Sequence, residues 1–211
     1  LLITLATNLF YYATWAGPMP HAYLFSLTAA FLYFTDSWYT RPRIRIAIYI
    51  GLLSGLIVLI RPTNIIILLV ILFWKVSNYQ DFKKNIKFLY KNYGSLIIML
   101  AAYLLVWVPQ FIYWYYLSGK LFYFTYAEKE SSFFFLNPQI LKVLISYEKG
   151  WLVYTPVMIL LIPGFVILYR KHRMFFITAL LILLLQIYIL SSWWCWWFGG
   201  SYGLRPMVDI Y

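Results

Sequence analysis

Apolar residues fall into seven blocks along this chain, separated by short polar or basic breaks. The blocks are Leu1–Tyr12, His21–Tyr39, Ile46–Ile60, Thr63–Trp74, Ser95–Tyr116, Trp151–Leu168 and Met174–Leu190. Several approach or exceed the roughly 20 residues a helix needs to cross a bilayer. The pattern predicts an all-α fold, a polytopic transmembrane helix bundle of about seven spans in one membrane-embedded domain covering residues 1–211. Pro20 stands at a helix start, the position where helices accept proline. The fourth block is short and could extend to Val76. Residues 117–150 form a long mixed loop. Within it, Asn137-Pro138 reads as a helix start and Gly150 as a stop, with Ile140, Leu141, Leu144 and Ile145 at helical spacing between them. A short amphipathic helix of about residues 138–149, lying in the membrane interface, is expected there.

Composition agrees with this reading. Of 211 residues, 64% are hydrophobic, and the mean hydropathy is +0.77, against roughly 45–50% apolar residues in soluble domains. Leu1 opens inside an apolar run, and Tyr211 closes in the first turn of what reads as another helix. A central piece of a longer protein is therefore expected. Cys195 is the single cysteine, which excludes an internal disulfide or a thiolate metal cluster.

The net charge of +11 points to nucleic acid in a soluble domain, but in a membrane protein its position decides. The loops at residues 41–45, 75–91 and 170–173 hold eleven of the seventeen Lys and Arg. Seven crossings would put these loops on one side, and the positive-inside rule makes that side cytoplasmic. Arg61, Lys120, Lys129, Lys142, Lys149 and Arg205 then lie outside with Glu128, Glu130, Glu148 and Asp209. This near-balanced face argues against nucleic acid as a partner. It points to an integral membrane protein whose working face is extracytoplasmic.

Three helices are expected to begin with proline on that face, at Pro20, Pro62 and Pro206. Arg61 and Arg205 precede two of them. A helix start presents free N–H groups, and arginine adds bidentate donors, a combination suited to phosphate or carboxylate. The plainer alternative is that both arginines snorkel and cap a turn. His21 and Asn64 sit at helix starts, as ligand contacts or as hydrogen-bonding core residues. Glu128 and Asp209 are the candidate general bases within the chain, although a solvated loop charge is the better reading of each. Glu148 is expected to pair with its neighbour Lys149. No HxxxH or HExxH occurs, so no metal site is expected. The run SSWWCWWFGGSYGLRP (Ser191–Pro206) is denser in Trp and Gly than an interfacial aromatic belt requires. Aromatic faces stack on sugars, and glycine admits close backbone approach.

The segments NLFYYATWAGPMPHAYLF (Asn8–Phe25), LIRPTN (Leu59–Asn64), EKGWLVYTP (Glu148–Pro156) and WWFGGSYGLRPMVD (Trp196–Asp209) occur in this order. Together they resemble the middle of bacterial polytopic glycosyltransferases of the GT-C class, and are similar to the protein mannosyltransferases and the lipid A aminoarabinose transferases. The resemblance implies an enzyme of the bacterial inner membrane. It would take a sugar from a polyprenyl-phosphate carrier, the donor substrate, without a nucleotide-sugar donor, and the resemblance assigns no certain cofactor. Transfer would be to a glycan, lipid or protein acceptor on the extracytoplasmic face, with inversion. It further implies that Arg61 and Arg205 bind the donor phosphate, and that His21, Asn64, Trp196 and Tyr202 line the cavity. In that class the catalytic aspartate lies in the first external loop, which here would precede Leu1.

A transporter or flippase of lipid-linked glycans is the alternative, using the same arginines without a base. A transporter carries polar residues through the membrane midplane. These blocks are nearly free of charge at mid-depth, which favours chemistry on one face. A non-catalytic membrane scaffold is the third reading.

Overall fold

The computed structural model describes residues 1–123 and 131–211. Among the described residues there is no β-strand, only an isolated bridge between Phe133 and Trp193. The chain opens with two short helices, α1 (Leu2–Ala6) and α2 (Leu9–Thr14), then α3 (His21–Thr40) and α4 (Ile44–Ile60). A 3-10 helix (Pro62–Leu68) runs into α5 (Leu69–Phe73), followed by α6 (Tyr79–Lys91) and α7 (Tyr93–Ser118). Next come α8 (Ile140–Ile145), α9 (Trp151–Tyr154), a 3-10 helix (Pro156–Leu160), α10 (Leu161–Lys171) and α11 (Arg173–Ser192). A final 3-10 helix covers Arg205–Ile210.

Two of the described helices, Tyr93–Ser118 and Arg173–Ser192, are long and apolar enough to cross a membrane. Seven continuous spans are not what forms. The first apolar block breaks at Thr7, which is extended, and Asn8 turns inward, 1% exposed. There it receives the Tyr211 hydroxyl on Oδ1 at 2.8 Å. The fourth block divides into 3-10 and α segments. The sixth breaks at Thr155, because the residue before a proline is pushed out of the helical region. Pro156 then starts a 3-10 helix.

Helices α4 and α7 meet through glycine. A Cβ on Gly51 would drive into the Met99 carbonyl and lie 2.7 Å from the Ala102 Cβ, and one on Gly55 would lie 2.9 Å from the Tyr103 carbonyl. Gly51-Leu52-Leu53-Ser54-Gly55 thus works as a small-xxx-small seam that lets two backbones approach. The opposite side of α7 is apolar and exposed: only 11% of its most apolar window is buried, and Ile97, Leu100, Leu105 and Ile112 stand outward.

The basic loops gather at one end of the bundle. Asn78 caps α6 by accepting from the Asp81 N–H at 2.9 Å, so the lysine-rich stretch read as a polar segment is a 13-residue helix. Its Phe88 stacks on Tyr39 and meets Trp38 edge-on at the end of α3. Trp74 packs on Phe175 of α11, and Lys75 pairs with Asp36 at 2.5 Å.

The other end holds the starts of α3 and of the Pro62 and Arg205 3-10 helices, with the exit of α11. The described half of the long loop docks there through its backbone. Phe134 and Gln139 donate their N–H groups to the carbonyls of Ser192 and Ser191, and Trp194 donates to Ser132. The loop helix is shorter than residues 138–149. It covers Ile140–Ile145, after Gln139 rather than Asn137-Pro138, and buries Val143 while Leu141 and Ile145 are exposed. Two contacts curtail it. The Gln139 N–H is drawn to Ser191. Gly150 does not stop this helix but packs against it: its N–H donates to the Ser146 carbonyl, and a Cβ there would lie 2.5 Å from that same backbone.

Candidate functional site

Asp209 lies at the centre of the site. It is 0% exposed and held by side chains from two distant stretches. The Nδ1 of His21, the first residue of α3, lies 2.7 Å from its Oδ1. Asn64, on the Pro62 3-10 helix, donates Nδ2–H to Oδ2 at 3.0 Å. Arg61, at the end of α4, brings Nη1 to 3.6 Å from Oδ2. A buried carboxylate is expensive to desolvate and persists where several donors and an opposite charge surround it. The sequence makes this possible locally. Pro62 starts a 3-10 turn immediately after Arg61, which puts Arg61 and Asn64 on one short corner. The turn at Pro206 carries Asp209 inward.

Beside the carboxylate lies a cavity of about 330 Å³, within the size range of small-molecule sites. His21, Arg61 and Arg205 line it together with Phe133, Trp193 and Phe198. The Arg61 guanidinium sits over the Phe198 ring, 5.4 Å from its centroid, while its Nε donates to the Thr63 hydroxyl at 3.1 Å. Arg205 directs Nη1 at the Met19 sulfur, 3.8 Å away, a weak acceptor. Among the described residues it has no carboxylate partner. Among the described residues the wall carries two guanidinium groups, bidentate donors of a kind suited to an anion.

The backbone of the Trp/Gly run shapes this wall. Phe198 takes a positive φ of 55°, and Gly199 and Gly203 follow at 62° and 60°. At Gly203 a Cβ would also lie 2.9 Å from the Tyr154 Cβ, so the position needs glycine twice over.

The residues named from sequence therefore separate. Arg61, Arg205 and His21 converge on one cavity. Asn64 is buried behind it as a holder of Asp209. Trp196 turns away from the cavity into a core with Val143, Trp151 and Leu204, with Lys142 over its ring. Trp193 and Phe198 take the lining place instead, because the chain leaves α11 in extended form at Trp193. Tyr202 stands on the far side, 47% exposed, with its ring against Tyr11 and Tyr154 and its backbone N–H and carbonyl both bonded to the Tyr12 hydroxyl. Asp209 is no solvated loop charge; it is the most enclosed polar group of the site. Glu128 lies outside the described residues. The expected Glu148–Lys149 pair gives way to a hydrogen bond from Lys149 to the Ser201 carbonyl.

Sequence reasoning missed Phe133, which reaches the site only because the loop docks on α11. It also missed the partnership of His21 with Asp209, which are 188 residues apart. No family model, curated protein or solved structure matches the chain.

Proposed function

We propose that the protein is a membrane glycosyltransferase of the bacterial inner membrane, moving a sugar from a polyprenyl-phosphate carrier to an acceptor on the extracytoplasmic face. One observation carries the reading: Arg61 and Arg205, 144 residues apart in sequence, line a single aromatic-walled cavity. The guanidinium groups suit a lipid phosphate, and the faces of Phe133, Trp193 and Phe198 suit the apolar C–H surface of a sugar. Fixed positive charge at the leaving phosphate stabilises the transition state as the glycosidic bond breaks. In this reading the helical blocks make about seven crossings, some by broken helices, and the lysine- and arginine-rich end faces the cytoplasm. Interrupted helices are tolerated at membrane depth where the broken backbone is buried in protein or lines a cavity, and the breaks beside Asn8 and at Thr155, both buried, fit that rule.

The test is sugar transfer by the full-length protein in proteoliposomes, using a labelled polyprenyl-phosphate sugar. Transfer that requires the carrier and falls at least about tenfold in Arg205→Ala, as expected for loss of a charged contact, supports the reading. Movement of the intact lipid-linked sugar across the bilayer without transfer would establish the flippase alternative.

A further inference from the structure

The resemblance assigns the catalytic base to a loop upstream of Leu1, yet this chain brings a proton acceptor of its own to the cavity. We propose that His21 and Asp209 form a catalytic dyad in which His21 Nε2 takes the proton of the acceptor hydroxyl. The inference rests on the transferase reading above and deepens it.

The geometry is that of an oriented imidazole. Nδ1 is committed to Asp209 Oδ1 at 2.7 Å. An ionised carboxylate only accepts hydrogen bonds, so Nδ1 carries the hydrogen and Nε2 presents its lone pair. Nε2 is the ring nitrogen left for the cavity that His21 lines. The ring is held still. His21 is 3% exposed, and Tyr12 packs edge-on against it at 5.2 Å between centroids. Asp209 is itself fixed by Asn64 and Arg61. A carboxylate that sets the tautomer and steadies the imidazolium is the arrangement by which serine hydrolases activate a hydroxyl. No nucleophilic serine is needed here, because the acceptor brings the hydroxyl.

The step balances. The acceptor oxygen forms a bond to the sugar's anomeric carbon while its proton passes to His21 Nε2. The bond from that carbon to the phosphate oxygen breaks, and its electron pair leaves with the polyprenyl phosphate. His21, now an imidazolium beside Asp209, returns its proton to water. Among the described residues, the charged and titratable groups around the ring are Asp209 and Arg205 from the last 3-10 helix, Arg61 from the end of α4, and Tyr12 from α2.

His21→Asn is the decisive variant, because the amide keeps a donor for Asp209 and removes the acceptor at Nε2. In the full-length protein in proteoliposomes, kcat is expected to fall by about 10²–10⁴-fold, with donor affinity within about threefold of wild type. The pH dependence of kcat should differ between wild type and variant, since only the wild type keeps the imidazole base. His21→Asn with kcat within about threefold of wild type overturns the dyad, as does a variant whose defect lies in donor binding. Absence of carrier-dependent transfer in the wild type would instead remove the transferase reading, and the dyad with it.

Discussion

The two ends of the bundle both hold an aspartate beside a basic side chain, but in opposite circumstances. At the basic end Asp36 and Lys75 lie 2.5 Å apart with side chains 49% and 39% exposed, and Trp74 donates its indole N–H to the same Oδ1 at 3.3 Å. At the other end Asp209 is wholly buried, and Arg61 is 16% exposed. Exposed pairs contribute little, because water and salt compete for both partners. A buried carboxylate has no such substitute, and every donor around it must be supplied by the fold. At the basic end the pair stands on the surface, in reach of water. The other end uses its buried charge to hold three chain segments against one cavity.

The comparison breaks most clearly by removing each carboxylate. Asp209→Ala removes the buried carboxylate that His21, Asn64 and Arg61 share, and a loss of about 3–5 kcal/mol is expected. Asp36→Ala should cost less than about 1 kcal/mol. Reversible unfolding in detergent measures both. Equal losses would mean that burial does not separate the two ends. Raised salt sharpens the same contrast, since it should weaken the contribution of Asp36 and leave that of Asp209 nearly unchanged.

The long apolar elements were legible in the sequence. His21–Thr40, Ile44–Ile60, Tyr93–Ser118 and Arg173–Ser192 begin and end within about two residues of their apolar blocks, since continuous apolar runs leave little choice of helix. Where the chain breaks, local signals were present but outweighed by hydropathy. Pro156 marks the end of α9, and Asn78 with Asp81 marks the start of α6. The break beside Asn8 and the helix start at Gln139 are instead fixed with distant partners, Tyr211 in one case and Ser191 in the other. The site divides likewise. Arginine before proline flagged Arg61 and Arg205, whereas only tertiary structure decides that Trp193 faces the cavity while Trp196 enters the core.

The seam between α4 and α7 gives a smaller effect, independent of either end. Gly51→Ala places a methyl against the Met99 carbonyl and the Ala102 side chain. Overpacking of this kind costs about 1–3 kcal/mol. The loss should add to that of Asp209→Ala, because the two sites share no partner. Strong non-additivity in the double variant would show that the seam and the buried carboxylate are coupled.

The most direct test of the central claim is binding of the carrier itself. Purified full-length protein in nanodiscs is titrated with a polyprenyl-phosphate sugar, comparing wild type with Arg205→Ala and with Lys75→Ala at the opposite end. Saturable binding is predicted, with Kd raised at least about tenfold by Arg205→Ala, the equivalent of 1.4 kcal/mol, and unchanged by Lys75→Ala. Equal affinity in all three proteins would contradict the assignment of this cavity to the lipid phosphate.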